Sequence, residues 1–180
     1  LRLSALLLGL LGLVGLYFHS TLPVTGHIRP GFFVFYTNLS NLLLAMYQLT
    51  LGVSGHDPQC GVFRWLSSAG VALSMTLCIF VTHLIYQWVL VPSAKKGGKA
   101  LSDIGFSSFG NLCVHYVVPW LTVVQWLLWQ DKSGLAIGHA VWWLVLPLAY
   151  FAFGMARGAT GKPIGHTKRC YPYPFMDPQV

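Results

Sequence analysis

Three polar residues that could carry out chemistry lie well inside long apolar segments of this 180-residue sequence. Thr37 supplies a hydroxyl, and His83 and His115 supply imidazoles. A threonine hydroxyl becomes an effective nucleophile when a base takes its proton, and a neutral imidazole within about 3 Å can be that base. Asparagine amides or backbone N–H groups can then stabilise the oxyanion that forms. These residue types are therefore sufficient for acyl transfer to Thr37 and onward to water.

Polar residues recur at helical spacing on three of the apolar segments. Positions three or four residues apart share one face of a helix, and polar groups inside a membrane are costly unless they face a cavity or a partner. We therefore expect three polar faces to meet around a wet interior. For Ser40, Gln48 and Thr76 the simpler explanation is hydrogen bonding that only holds helices together. The three faces consist of Thr37, Ser40, Asn41 and Gln48; of Thr76, His83 and Gln87; and of Asn111, His115, Thr122 and Gln125.

The depth of the three chemical residues in their segments places them near one membrane face. At 1.5 Å per residue, Thr37 lies about 9 Å and His115 about 16 Å inside the start of its segment. His83 lies about 12 Å before the end of its segment. All three distances are measured from the face that carries the basic loops. We therefore expect the hydroxyl, the imidazoles and several carboxamides to gather in one layer just below that face.

The elements that must position these residues are membrane helices. Hydrophobic residues make up 55% of the chain and charged residues 8%, whereas a typical soluble domain has about 25% charged residues. The apolar segments are close to the ~20 residues that span a bilayer and lack the strict alternation of barrel strands. The sequence predicts an all-α polytopic membrane helix bundle, a single transmembrane domain over 1–180. Its predicted spans are about 3–18, 31–53, 63–91, 104–129 and 137–155, and 157–180 is predicted to be an interfacial tail.

The net charge of +7 comes from 11 Lys and Arg residues against four Asp residues. The basic residues lie mainly between the apolar segments. This distribution indicates membrane orientation and membrane lipids as partners, with no nucleic acid. By the positive-inside rule, the loops with Arg29 and 95–99 and the basic tail are predicted to be cytoplasmic, and the amino terminus to lie outside. Cys60 and Cys170 then lie on opposite sides, so no disulfide is expected between them.

Several other functions lack the residues they need. The seven histidines are scattered, and two imidazoles without a nearby carboxylate are a poor site for a hard metal ion. The phosphate-binding and dinucleotide-binding glycine patterns are missing, and so is the serine elbow GxSxG. We therefore expect neither a metal nor a cofactor.

Three blocks of sequence occur in a fixed order along the chain. They are Phe35–Leu43 (FYTNLSNLL), Asn111–Trp120 (NLCVHYVVPW) and, after Arg157-Gly158, Tyr171–Asp177 (YPYPFMD). Together they resemble the androgen-induced and androgen-dependent TFPI-regulating family of multi-pass membrane threonine hydrolases and its bacterial relatives. The eukaryotic members cleave fatty acid esters of hydroxy fatty acids.

This resemblance implies that Thr37 is the nucleophile and His115 the base. Asn41 and Asn111 match polar positions of the blocks, whereas His83 has no counterpart in the eukaryotic pattern. The family usually has six helices, with one after the Tyr-Pro-Phe block, so the resemblance implies that a sixth helix either follows Val180 or is lacking in this member. We expect the residues that bind substrate or stabilise the oxyanion to be Asn38, Ser40, Asn41, His83 and Asn111.

Two other functions are compatible with the same residues. The polar layer could bind the head group of a lipid or a small molecule in a non-enzymatic binding or transport protein, although the internal repeats typical of transporters are not evident. The polar faces could also serve packing alone. Covalent labelling of Thr37 by an ester-directed probe separates the hydrolase from both.

Asp103 is the one remote carboxylate that could orient His115.

Overall fold

A computed structural model describes residues 1–98 and 108–179 of the chain. The structure is 71% helix, and the described residues contain no strand. The predicted all-α class is therefore confirmed. Asp103 and Lys99, which were given roles above, lie outside the described residues.

Five long helices form the bundle, and two of them contain a π-helical segment. The helix Ala69–Lys96 is π-helical over Tyr86–Leu90, and the helix Phe109–Trp129 is π-helical over Cys113–Val117. Short helical turns at Leu22–Thr25, Phe32–Val34, Gly61–Leu66, His139–Trp142 and Pro174–Met176 connect or follow the long helices. The long helices are α1 (Arg2–His19), α2 (Tyr36–Ser54), α3 (Ala69–Lys96), α4 (Phe109–Trp129) and α5 (Val145–Ala159).

Three of these helices, α1, α3 and α4, are long and apolar enough to cross a membrane, as judged over the described residues. Helix α2 has 19 residues, but its buried polar side chains make it less apolar. Helix α5 has 15 residues because the predicted segment 137–155 is divided into two helices. The structure is thus consistent with a membrane protein, and three of the five predicted spans are candidate membrane helices by their length and composition.

The boundaries of the predicted segments change where the backbone turns. The segment predicted to start at 31 becomes helical at Tyr36, because Gly31 adopts a left-handed φ of 83° and a 3-10 turn follows it. The segment predicted over 63–91 divides before Ala69, and its second part continues through Pro92 to Lys96. The part of the fourth segment over 104–107 lies outside the described residues.

Small residues allow α1 to approach α2 and α4 closely. On α1, Gly9 faces Leu49 and Gly12 faces Ala45, the arrangement by which small residues let membrane helices pack. Near the start of α4, Gly110 lies so close to the backbone of Phe18 and His19 that a Cβ there would overlap it. This contact holds the end of α1 beside the His115 segment.

The bundle turns its polar side chains inward and many large apolar side chains outward. Leu3, Trp88 and Leu128 are among the exposed apolar residues, whereas Gln48 and Gln125 are buried. Such a distribution suits surrounding hydrocarbon, which cannot satisfy polar groups. The Nε2 atom of Gln48 donates to Oε1 of Gln125 at 2.7 Å, and Nε2 of Gln125 donates to Ser4 Oγ at 3.2 Å. This chain of hydrogen bonds joins α1, α2 and α4.

The tail after α5 folds back onto the bundle. The Arg157 guanidinium donates to the carbonyls of Lys162 and Pro163, which closes the first loop. The ring of Tyr171 lies directly on Gly158, where a Cβ would overlap it. Tyr173 and Met176 are buried. The predicted interfacial tail is therefore irregular, as expected, but part of it belongs to the core.

The pair Gln48–Gln125 gives a test of this packing. Gln125→Leu leaves Nε2 of Gln48 without its acceptor, and Gln48→Leu leaves Oε1 of Gln125 without its donor. Each loss costs about 1–3 kcal/mol of unfolding free energy. The double variant Gln48→Leu/Gln125→Leu should be less destabilised than the sum of the single variants, by about 0.5–2 kcal/mol. Unfolding in detergent micelles measures all three.

The matched control is Thr50→Val on the exposed side of α2, which should change stability by less than about 0.5 kcal/mol. Additive effects of the two glutamine substitutions would show that the amides do not interact.

Candidate active site

Thr37 and His115 line the same cavity, which has a volume of about 520 Å³. They come from different helices, α2 and α4, and are 7% and 4% exposed. Both lie in the described part of the chain, where no direct hydrogen bond joins their side chains. The structure thus brings together on one cavity wall the two residues that the sequence selects as nucleophile and base. Other lining residues are His19, Arg29, Asn38, Arg169 and Tyr173.

The backbone of Thr37 is held from both sides at the start of α2. The first N–H groups of a helix have no partner within it, and the Thr37 N–H donates to the Tyr173 hydroxyl at 3.4 Å. The Thr37 carbonyl accepts from Asn41 Nδ2 at 2.8 Å and from Ser40 Oγ at 3.2 Å. The positive end of the helix dipole at this position favours negative charge, which is the charge that develops when a hydroxyl attacks a carbonyl.

Neighbouring side chains fix the start of α2 in the bundle. Asn38 Nδ2 donates to the Phe32 carbonyl at 2.6 Å, which ties the helix to the preceding turn. The Tyr36 hydroxyl donates to the Cys78 carbonyl at 3.1 Å, and the hydroxyls of Ser40 and Thr82 are 2.9 Å apart. These last two bonds attach α2 to α3.

His115 lies in the π-helical segment of α4, and a proline explains its backbone contact. Pro119 has no N–H, so the carbonyl of His115 four residues earlier lacks its helical partner. Nδ1 of His83 makes this bond from α3 at 2.9 Å. Since a carbonyl only accepts, the Nδ1 atom of His83 carries the proton. Single π-helical turns are frequent at functional sites.

The His115 ring is held by stacking. It lies parallel to the Tyr86 ring, with centroids 3.6 Å apart and an interplanar angle of 16°. The ring of His19 lies edge-on at 5.8 Å, and Asn111 Nδ2 donates to the Tyr86 hydroxyl at 2.8 Å. Nδ1 of His115 is buried and has no hydrogen-bond partner. The position of this imidazole is therefore set by ring packing, since no hydrogen bond is made at its Nδ1 atom.

The five residues expected to bind substrate or stabilise an oxyanion take different positions. Asn38 lines the cavity. Asn41 is fully buried, and its two N–H groups are used by the carbonyls of Thr37 and Val114. Its contacts bridge α2 and α4. Ser40, His83 and Asn111 contact Thr37, His115 and Tyr86 as described above and are not part of the cavity wall.

Positive charge lies beside the cavity. Arg29 and Arg169 both line it, and its described wall includes no Asp or Glu. A negatively charged group of a ligand is therefore favoured at this end. Tyr173 is a neutral member of the wall: burial raises the pKa of its phenol, and hydrogen bonding at the start of α2 lowers it by a smaller amount.

A second cavity of about 230 Å³ meets the first at Thr37 and Tyr173, which line both. Its wall is mainly apolar and includes Val81, Ile85 and Phe151. Thr37 thus lies at the junction of a basic cavity and an apolar cavity. An elongated molecule with one charged end and one apolar end fits this arrangement.

Several of these positions were not selected from the sequence. Tyr86 follows His83 by three residues, so the helical spacing that selected His83 also places Tyr86 on its face. Tyr173 belongs to the Tyr-Pro block, but nothing local indicates that it reaches Thr37, 136 residues away. Arg29 and Arg169 were used only as markers of orientation. His19 has no distinguishing pattern.

Comparison with models of protein families, with curated proteins and with solved structures found no significant match. The resemblance based on the three sequence blocks therefore remains a hypothesis, and the residues and their geometry carry the functional inference.

The two histidines should respond differently to loss of their polar atoms. His83→Phe removes the donor to the His115 carbonyl, which should cost about 1–3 kcal/mol of stability. His115→Phe keeps the stacking on Tyr86 and removes a ring nitrogen with no partner, so its unfolding free energy should stay within about 0.5 kcal/mol of wild type. Thermal unfolding in detergent compares them. Equal destabilisation by both substitutions would contradict this assignment.

Proposed function

We propose that this protein is an intramembrane hydrolase of lipid esters that acts through an acyl-threonine intermediate on Thr37. The observation that carries the proposal is the position of Thr37 at the junction of two cavities, one of which it shares with His115. A lipid ester has the shape of this site, with an apolar chain on one side of the ester and a polar group on the other.

The proposed reaction has two stages. His115 takes the proton of Thr37, directly or through a water molecule, as Oγ attacks the ester carbonyl. The ester C–O bond breaks, and His115 returns the proton to the departing alcohol. Water then attacks the acyl-threonine, and its proton passes through His115 to the Thr37 oxygen as the carboxylic acid is released. The described cavity wall has no carboxylate to orient His115, so we expect slow turnover.

The charges of the cavity support fatty acid esters of hydroxy fatty acids, or similar esters, as the substrate class. Such an ester carries a free carboxylate at one end, and Arg29 and Arg169 offer it opposite charge. One alkyl chain then lies in the apolar cavity beside Val81 and Phe151. This assignment needs no metal and no cofactor.

A non-enzymatic lipid-binding or transport function is the second candidate. It is favoured by the lack of a direct bond between Thr37 and His115, and by Arg29 and Arg169, which could hold an anionic head group without any covalent step. The two functions differ in whether Thr37 is acylated.

Hydrolysis of a panel of lipid esters by the purified protein tests the proposal. Thr37→Ala and His115→Phe should each lower turnover by at least about 10³-fold, because each removes a group that takes part in bond making. Thr37→Ser keeps a hydroxyl and should retain part of the activity. An ester-directed phosphonate probe should label wild type at Thr37.

The matched control is Thr122→Val, which removes a buried threonine hydroxyl from α4 that donates to the Val118 carbonyl and lies outside both cavities. It should leave turnover unchanged. No turnover by wild type, or full turnover by Thr37→Ala, would reject the hydrolase and leave the binding function.

We also propose that α2 and α5 lie in the membrane with α1, α3 and α4, which gives five helices with the basic loops on the cytoplasmic side. Helix α2 packs along α1, from Leu49 against Gly9 to Gly52 against Leu6, so hydrocarbon that surrounds α1 also reaches α2. Two free and partly exposed cysteines, Cys60 and Cys170, lie at opposite ends of this topology.

A membrane-impermeant maleimide should therefore label Cys60 in intact cells and Cys170 only after permeabilisation. The variants Cys60→Ser and Cys170→Ser assign each signal. Labelling of both cysteines in intact cells would contradict the five-helix arrangement.

A further inference from the structure

The tail after α5 places the phenol of Tyr173 in contact with the backbone N–H of Thr37, the candidate nucleophile. Tyr173 is 7% exposed, and its hydroxyl oxygen accepts the N–H of Thr37 at 3.4 Å. Its ring is stacked on Phe175, at 5.3 Å and 5°, and meets Phe35 edge-on at 6.0 Å. Tyr173 and Thr37 line the same two cavities.

The hydrogen bonds of this phenol leave its proton available. A phenol has one proton to donate and can also accept. Toward the Thr37 N–H the Tyr173 oxygen acts as acceptor. The neighbouring Tyr150 donates its own proton to the Val34 carbonyl at 2.9 Å. The Tyr173 O–H can therefore donate to another acceptor, and a ligand in either cavity that Tyr173 lines can supply one.

The position beside the N–H of the nucleophile has a specific meaning in acyl transfer. When a hydroxyl attacks an ester, the former carbonyl oxygen becomes an oxyanion close to the attacking residue, and the N–H of that residue is often one of its donors. Because the Tyr173 hydroxyl contacts this N–H, it lies within reach of that oxyanion.

We propose that Tyr173 is a catalytic residue of the hydrolase, donating its phenolic O–H to the oxyanion formed when Thr37 attacks the ester carbonyl. This inference rests on the proposed function and adds the donor that Asn41 does not supply, because both N–H groups of Asn41 are used by backbone carbonyls. The proton stays on the phenol oxygen throughout, so no group is transferred. The Thr37 N–H exchanges its bond to Tyr173 for a second bond to the oxyanion.

Tyr173→Phe removes the hydroxyl and keeps the ring between Phe35 and Phe175. Loss of one oxyanion donor lowers kcat by about 10²–10³-fold, and KM should change less than threefold because the donor acts on the transition state. The matched control is Tyr171→Phe, two residues away on the same tail and outside both cavities, which should keep wild-type kinetics.

A pair of inhibitors separates this role from tail anchoring. A lipid trifluoromethyl ketone adds the Thr37 oxygen to its carbonyl and forms an oxyanion, whereas the corresponding ether lipid does not. Tyr173→Phe should weaken the ketone by about the same factor as kcat and leave binding of the ether unchanged. A purely structural tyrosine would weaken both ligands equally, and that result would overturn the proposal.

If Tyr173→Phe fails to fold, a fluorinated tyrosine at position 173 keeps both the ring and the hydroxyl. The fluorinated phenol is more acidic, so it loses its proton at a lower pH than the native phenol. Without this proton it can no longer donate a hydrogen bond. The alkaline limb of the kcat profile should then move to lower pH, and an unchanged profile would overturn the proposal. If wild type hydrolyses the ester, Thr37→Ala abolishes this activity and Tyr173→Phe leaves it intact, then only the role of Tyr173 is rejected. No hydrolysis by wild type rejects the function and the role of Tyr173 with it.

Discussion

Polar groups inside this bundle must find their partners within the protein, because the outward-facing surface is apolar and suits hydrocarbon. Most of them find partners across helix interfaces. Gln48 pairs with Gln125, Asn41 bridges two helices, and His83 bonds to the carbonyl of His115. Six buried side-chain N or O atoms of the described residues have no partner, and two of them, Oδ1 of Asn38 and Nδ1 of His115, belong to residues on the wall of the candidate active site. Unpaired buried groups call for an explanation, and a site that binds polar ligands provides one for these two atoms.

Backbone irregularity is the means by which α3 and α4 present their side chains. A π-helical segment precedes Pro92 in α3, and another precedes Pro119 in α4. Each widened turn changes the direction of the residues around it relative to a regular α-helix. The result is that Tyr86 and His115 stack face to face, and the carbonyl released by Pro119 bonds to His83. The π-helical segments of α3 and α4 thus place Tyr86 and His83 in contact with His115.

The tail after α5 supplies Arg169 and Tyr173 to the wall of the same site. The ring of Tyr171 lies so close to Gly158 of α5 that a Cβ there would overlap it, and the end of the Met176 side chain packs on Gly154. That packing in turn places Tyr173 over the first turn of α2. The basic cavity and the apolar cavity therefore share wall residues from α2, α3 and the tail, which are Thr37, Leu90 and Tyr173. A lipid ester is the class of molecule whose parts match both cavities.

The local sequence was enough to predict the helical class and most of the long helices, and it selected Thr37 and His115, which line one cavity. These features follow from composition, from the period of 3.6 residues and from the rise per residue, which are properties of neighbouring positions. The contact of Tyr173 with Thr37, the stacking of Tyr86 on His115 and the bond from His83 to a backbone carbonyl could not be read from it. They depend on how distant segments pack and on two π-helical turns that shift the helical phase, and no local period carries that information.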